Sequence, residues 1–278
     1  MQYEDATLRK LQMVMLDMVR DIDRVCGELG ITYFGDSGTV LGARRHAGYI
    51  PWDDDIDLGM MRPDYDVFCE KAPALLGERY VFNDPVRTPE QSALFTKITL
   101  ANTKFYTEET LECGIKQGIG LDVFPYDVLS ADPKVAADQR KRAISCQREM
   151  YLLHSAKVNV PHKGVLGAVE KAGCAAVHTA LKAATSHEAI LKKFDAACAA
   201  GRENPSDDCI CMAYAATGPF KKDVLVPPVR ASFEQFMIPI PANADSYLET
   251  MYGDWRELPP AEKRRNHAPV ELDFGPYA

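Results

Sequence analysis

Between residues 51 and 60 the chain reads Pro-Trp-Asp-Asp-Asp-Ile-Asp-Leu-Gly-Met, which sets four carboxylates, Asp53, Asp54, Asp55 and Asp57, inside five residues. Like charges this close repel, and a fold keeps them together only where a shared proton or a cation relieves the repulsion. A divalent metal is the simplest relief. Oxygen ligands that leave room for water and phosphate suit Mg²⁺ or Mn²⁺. From Asp55 onward, acidic or small residues alternate with Ile56, Leu58 and Met60. That period of two predicts a half-buried strand with Asp55 and Asp57 on one face.

Upstream, residues 31–34 form a short β-prone run, followed by Gly35-Asp36-Ser37-Gly38-Thr39 and a helix expected over residues 40–46. Gly35 and Gly38 let the backbone approach an anion, Ser37 and Thr39 add hydroxyl donors, and the free N–H groups of the helix start favour phosphate. Arg45 and His46 fall at the far end of that helix, with Gly48 as its stop. Phosphate donors and metal carboxylates together are what phosphoryl transfer requires.

The run from Gly38 to Asp57, Gly-Thr-Val-Leu-Gly-Ala-x-Arg-His-x-Gly-x-Ile-Pro-Trp-Asp-Asp-Asp-Ile-Asp, resembles the signature of the LicD family. Characterised members of that family transfer phosphocholine from CDP-choline to a cell-surface glycan. The family is similar in turn to the nucleotidyltransferase superfamily, in which a Gly-Ser or Gly-Gly turn precedes a strand bearing Asp-x-Asp and a third Asp lies on a neighbouring strand. The fukutin-related ribitol-phosphate transferases share that core. Asp36, Arg44 and Ala47 depart from the family pattern, where small or apolar residues are expected at the first two positions and Lys at the third; these changes bear on donor specificity more than on the metal site.

The third carboxylate has a candidate in residues 118–125, an apolar strand interrupted by Asp122, since a charge inside such a run is costly unless paired or bound to metal. Asp122 also matches the family's Leu-Asp-Val-Phe-Pro; the other reading is a carboxylate that caps a turn or pairs with a buried arginine. Asp127 reads as a turn residue. Lys97 lies on a strand expected over 93–100, where the resemblance makes it a phosphate or carboxylate partner and the bare pattern makes it a solvated lysine. Near the end, Tyr252-Gly253-Asp254, Pro259-Pro260 and Lys263-Arg264-Arg265-Asn266-His267 again resemble the family. Three cations and a histidine in a compact run can hold a donor diphosphate through Arg264 and His267, although a charge run is usually a solvated face. Trp52 either positions the acidic loop, stacks on the donor or fills the core.

Composition sets outer limits. A net charge of −8 argues against nucleic acid as a partner. The eight cysteines are scattered without paired zinc spacing and read as reduced thiols of a cytoplasmic protein. Residues 1–29 mix acids and bases and read as an amphipathic helix, not a secretory signal. Residues 134–154, 165–185 and 186–200 read as helices. The stretch 164–184 is rich in Ala and Val but interrupted by Glu170, Lys171, His178 and Lys182, which makes it too polar to span a bilayer while allowing contact with the inner membrane face. Residues 229–240 resemble a hairpin.

The expected architecture is α+β, a nucleotidyltransferase-like core with a small mixed β-sheet flanked by helices and a helical insertion. Residues 1–278 are taken as a single domain, with a core over 1–131 and 201–278 and a helical subdomain over 132–200. In this expectation Asp53, Asp55, Asp57 and Asp122 hold Mg²⁺ or Mn²⁺, and Gly35, Ser37, Gly38, Thr39, Arg45, His46, Lys97, Arg264 and His267 bind the donor. The resemblance makes that donor a CDP-alcohol, CDP-choline first, and the acceptor a glycan or lipid-linked glycan. Two other classes remain open. One is transfer of a nucleoside monophosphate from an NTP. The other is a cation-binding module, because Asp53, Asp55, Asp57 and Asp64 fall at positions 1, 3, 5 and 12 of an EF-hand-like loop, with Leu58 where its glycine belongs and Asp where Glu belongs.

Overall fold

A computed structural model describes residues 3–156, 160 and 162–277. The chain begins with α1 (Asp5–Leu29), whose buried stripe includes Leu8, Leu11, Met15, Val19, Ile22 and Cys26, and which ends at Gly30 in the left-handed region. That helix packs on α3 and the central strand. Next come β1 (Phe34–Gly35), α2 (Ser37–His46), β2 (Asp57–Met61) and α3 (Arg62–Leu76), the last opened by Pro63. The proline sits where a missing N–H costs nothing. Then follow β3 (Tyr80–Asn83), β4 (Thr96–Leu100), β5 (Lys104–Tyr106), α4 (Glu108–Cys113) and the eleven-residue β6 (Gly120–Ser130).

Residues 133–199 are helical apart from short connections: α5 (Pro133–His154), α6 (Gly164–Ala184) and α7 (His187–Ala199). The chain then returns through β7 (Pro205–Cys211), β8 (Phe220–Lys221), α8 (Lys222–Leu225), a hairpin of β9 (Val229–Phe233) and β10 (Phe236–Ile240), α9 (Ala244–Tyr252) and β11 (Glu271–Asp273). Among the described residues no helix is long and apolar enough to cross a membrane.

The sheet is mixed and β6 is its centre. Its order is β1-β2-β6-β4-β3, and the second half of β6 exchanges β4 for β7, which pairs in turn with β8. The β2–β6 pair is parallel and the others in this sheet are antiparallel. Register places Asp57 opposite Asp122, Asp122 opposite Lys97, and Lys97 opposite Asn83. Partners across a sheet share a face, so this row of polar side chains projects together. Beneath it, Ile56, Leu58, Met60, Ile98, Leu121 and Val123 are buried in the core.

Three expectations need correction. The acidic strand starts at Asp57, not Asp55; residues 53–56 are an extended lead-in whose Ile56 carbonyl accepts from Asp122 N–H at 3.0 Å. β6 does not stop at Pro125. On its antiparallel side, β4 pairs as far as Val123 and β7 begins at Tyr126, so the missing N–H of Pro125 removes nothing from that side. Asp127 therefore lies inside a strand, fully buried, where Arg62 donates to both its oxygens at 2.8 and 2.7 Å. Finally, the EF-hand-like spacing is not realised, because Asp57 opens a strand and Asp64 turns away in α3 to accept from Thr32 N–H at 3.2 Å.

Gly59 shows how tightly β2 is set. A Cβ there would stand 2.4 Å from Cε2 of Phe34, a ring with no solvent exposure and nowhere to retreat. Gly59→Ala should therefore cost about 1–3 kcal/mol by overpacking and lower the thermal midpoint by several degrees in a melt followed by circular dichroism.

Candidate active site

The site grows from the start of α2. Asp36 caps that helix, its carboxylate accepting from Ser37 N–H at 2.7 Å. It is buried, and it also accepts from the Tyr126 hydroxyl at 3.0 Å and, through a very short bond, from Tyr247. Burial raises its pKa more than these bonds lower it. Thr39 Oγ1 accepts from Asp57 N–H at 2.9 Å, and Asp36 N–H donates to Asp57 O at 2.8 Å, so the helix start is tied directly to the acidic strand. Ser37 adopts a φ of 43°, in the region that favours glycine. The N–H of Ser37 and the hydroxyl of Thr39 are thus used inside the protein.

Gly38 makes a different contribution. A Cβ on it would lie 2.9 Å from Oδ2 of Asp53, so the bare glycine lets that carboxylate rest against the helix N-terminus, whose partial positive charge favours it. Burial pushes the Asp53 carboxyl well above the usual carboxylate range, followed by Asp55 and Asp54. Asp57 is also pushed well up, by burial first and then by Asp55 and Asp122. The crowding foreseen in the sequence is therefore met in part by raised pKa values.

Two side-chain cations meet the rest. Lys97 Nζ donates to both oxygens of Asp122 at 2.8 and 2.7 Å. His267 Nδ1 stands 3.2 Å from Asp54 Oδ1 and 3.6 Å from Asp55 Oδ2, and its bond to Asp54 raises its pKa to about 8. Asp54 is saturated: it accepts from the Tyr3 hydroxyl, from the backbone N–H groups of His267 and Ala268, and from His267 Nδ1. Burial raises the Asp54 carboxyl, but these bonds outweigh it and hold the group below its ordinary value.

Ligand atoms of Asp54, Asp55 and His267 lie within 4.8 Å of one another, a spacing that can accept a metal ion. Carboxylate oxygens with one imidazole nitrogen suit a hard or borderline divalent cation. Asp54 already serves five donor contacts, so the oxygens with charge to spare belong to Asp53, Asp55 and Asp57. Asp54 is the residue that sequence reading left out of the site. Its position among the four acids was visible, but the clamp from residues 213 positions later was not.

The other expected residues are more dispersed. Gly35 lies under the Thr39 methyl, where a Cβ would come within 3.1 Å of it. Arg45 Nη1 donates to the carbonyls of Trp255 and Glu257 at 2.8 and 3.2 Å, while its Nε and the Nε2 of His46 are buried without a partner among the described residues. Burial lowers the pKa of both, and Arg45 adds to the effect on His46. Arg264 is exposed and stacks its guanidinium 4.4 Å from the centroid of Trp52, so Trp52 holds the C-terminal segment over the acidic loop.

A cavity of about 540 Å³ opens beside this row, lined by Asp55, Lys97, Asp122 and His267 together with Phe95, Glu109, Tyr151 and Tyr214. That size suits a nucleotide-scale ligand. A helix start, an Asp-x-Asp run entering β2 and a third aspartate in register on the next strand thus stand together, with Asp55 and Asp122 lining the cavity. Residues 30–128 match the family model of the LicD/FKTN/FKRP nucleotidyltransferase domain.

Across these residues the chain is similar to the LicD family. Over 94% of its length it is 26% identical to the lipopolysaccharide cholinephosphotransferase LicD of Haemophilus influenzae, covering 96% of that protein. Shorter matches, 37% identical over 76 residues and 40% identical over 55, join it to uncharacterised proteins of Rickettsia typhi and Rickettsia prowazekii, of which it covers 25% and 21%. The LicD-family match contains Asp53, Asp55, Asp57, Lys97 and Asp122, whereas His267 lies outside it.

The electrostatics give a signed prediction for the metal-free protein. A carboxyl whose folded pKa is raised holds its proton more tightly folded than unfolded, so its stabilising contribution is complete at low pH and is lost as pH rises through the folded value. Asp53, Asp55 and Asp57 all act in this direction, and His267 adds the same slope between its ordinary value and about 8. In chelator, the thermal midpoint should therefore fall from mildly acidic pH to pH 8, and Asp57→Asn should flatten that fall and raise the midpoint at pH 8.

Proposed function

We propose that this chain is a metal-dependent transferase that moves a phospho-alcohol, phosphocholine in the first instance, from a CDP-alcohol to a hydroxyl of a cell-surface glycan or its lipid-linked precursor. The observation that carries this reading is the register row Asp57–Asp122–Lys97 beside Asp53 and Asp55, set at the mouth of a nucleotide-sized cavity. Similarity along nearly its whole length to a cholinephosphotransferase supports the choice of transferred group.

A bound Mg²⁺ or Mn²⁺ would draw charge from the donor phosphates and favour the ionised acceptor hydroxyl. Asp55 and Asp57, with Asp122, are the residues that would hold it. Lys97 orients the Asp122 carboxylate through two bonds and keeps a positive charge beside the transferring group. Asp53, next to the start of α2, would help bind the metal or take the proton of the acceptor hydroxyl. The acceptor oxygen then forms a bond to the phosphorus bearing the alcohol, the bond from that phosphorus to the bridging oxygen breaks, and CMP leaves with the electron pair. Tyr214 and His267 close the site on the cavity side.

The test is release of CMP from CDP-choline, CDP-ethanolamine, CDP-glycerol and CDP-ribitol, with Mg²⁺ or EDTA, alongside pyrophosphate release from CTP, ATP and UTP. Metal-dependent CMP release from one CDP-alcohol is expected, falling by about 10³-fold or more in Asp55→Asn or Asp57→Asn as ligand charge is lost. Pyrophosphate release in its place would mean nucleotidyl transfer, and full metal-dependent turnover in both variants would remove these carboxylates from the mechanism.

A further inference from the structure

Helix α6 is mounted with its apolar side outward. Within it Gly167 is buried and Glu170, Cys174, His178 and Leu181 are half-buried, a spacing of three and four residues that marks the one stripe facing the protein. That stripe carries the helix's only acid and its histidine. Glu170 meets His162 at 2.6 Å, and His178 Nδ1 bonds the Leu152 carbonyl of α5 at 2.8 Å. Every other position of α6 is exposed, and of these only Lys171, Thr179 and Lys182 are polar. Val165 is 84% exposed and Val169 63%, and Leu166 and Val177 stand in solvent with them. The neighbouring α5 follows the ordinary pattern, with Lys134, Asp138, Lys141, Arg142 and Arg148 on its outer side. A surface helix that turns its polar groups inward and presents valine and leucine leaves apolar area in water at a cost, unless something covers it.

We infer that the outward face of α6 docks on a lipid bilayer that carries anionic headgroups. Charge decides the occupant. Lys171 and Lys182 are eleven residues apart, about three helical turns, so they share one edge of the apolar face. Lys163 stands exposed at the helix start. A second copy of this chain would bring these lysines against an identical helix with no exposed acid to pair them, because Glu170 is turned inward onto His162. An anionic headgroup layer answers all three, while the valine and leucine side chains enter the boundary of the acyl region. The chain's net charge of −8 repels the rest of its surface from such a layer, so this one helix sets the docked orientation. The contact stays at the surface, since among the described residues no helix is long and apolar enough to cross a membrane. The inference is independent of the transferase reading, but on that reading the contact has a use. His178 is bonded to Leu152, and Tyr151, the preceding residue of α5, lines the cavity. A bilayer held by α6 then stands one helix away from the cavity wall, the arrangement a lipid-linked acceptor requires.

Co-sedimentation with vesicles of equimolar phosphatidylglycerol and phosphatidylcholine, and with vesicles of phosphatidylcholine alone, tests this on the full chain. Two double variants accompany it, Val165→Glu with Val169→Glu and Lys171→Gln with Lys182→Gln. All four positions are exposed, so both variants should keep the native circular dichroism spectrum and thermal midpoint. The native chain should bind the anionic vesicles and leave the neutral ones. Salt at about 0.5 M should release most of it, and each double variant should bind about tenfold more weakly. Absence of binding to the anionic vesicles overturns the inference. So does equal binding to neutral vesicles, or binding that either variant retains at native strength, which would place the contact elsewhere. A concentration-dependent dimer seen by light scattering, dissolved by the valine variant in a chain that ignores vesicles, assigns the face to a second copy and also overturns it.

Discussion

Repulsion among carboxylates is the constraint around which this molecule is arranged. Asp36, Asp53, Asp54, Asp55, Asp57 and Asp122 converge on the ends of two parallel strands and the start of one helix, and each has its own counterweight. Asp36 has two tyrosine hydroxyls and a backbone N–H. Asp54 has the His267–Ala268 backbone, Asp122 has Lys97, and Asp53 has the helix start. Asp57 is the least compensated, half-buried and flanked by acids on three elements. Buried charge without a counter-charge lowers stability, so the fold concentrates an electrostatic demand at the one place where a cation and phosphate would meet.

The large-scale arrangement follows from that demand. The acidic row needs a strand pair held at fixed register, and a parallel pair needs a long crossover. Here the crossover carries α3, β3 and β4, and β4 returns beside β6 to deliver Lys97 opposite Asp122. The same strand therefore completes the sheet and supplies the cation. Gly59 lets the Phe34 ring close over the strand from one side, and the α1 stripe covers another part of the core.

Much of this was legible in the sequence, for identifiable reasons. The alternation after Asp55 identified a strand, the Gly-Asp-Ser-Gly-Thr run identified a helix start, and Asp122 stood out as one charge in an apolar strand. These signals are local, and local pattern reports them well. What sequence missed depends on distant chain segments. The burial of Asp127 depends on Arg62, the clamp on Asp54 depends on His267, and the cavity depends on residues 91–97, α5 and the turn after β7 meeting in one place. The occupation of Ser37 N–H and Thr39 Oγ1 by protein partners was equally hidden, because nothing in their spacing distinguishes a hydroxyl facing a ligand from one facing the next strand.

The clamp on Asp54 has a consequence for the order in which the molecule is made. That carboxylate is joined to Tyr3, 51 residues before it, and to His267, 213 residues after it. During synthesis the sheet residues up to β6 leave the ribosome long before His267 does. Until then residues 53–57 lack the bonds from His267 and Ala268 to Asp54. The loop gains that hold only once residues 267–268 have been made, so a truncated chain that has lost them lacks the clamp however well its sheet has formed.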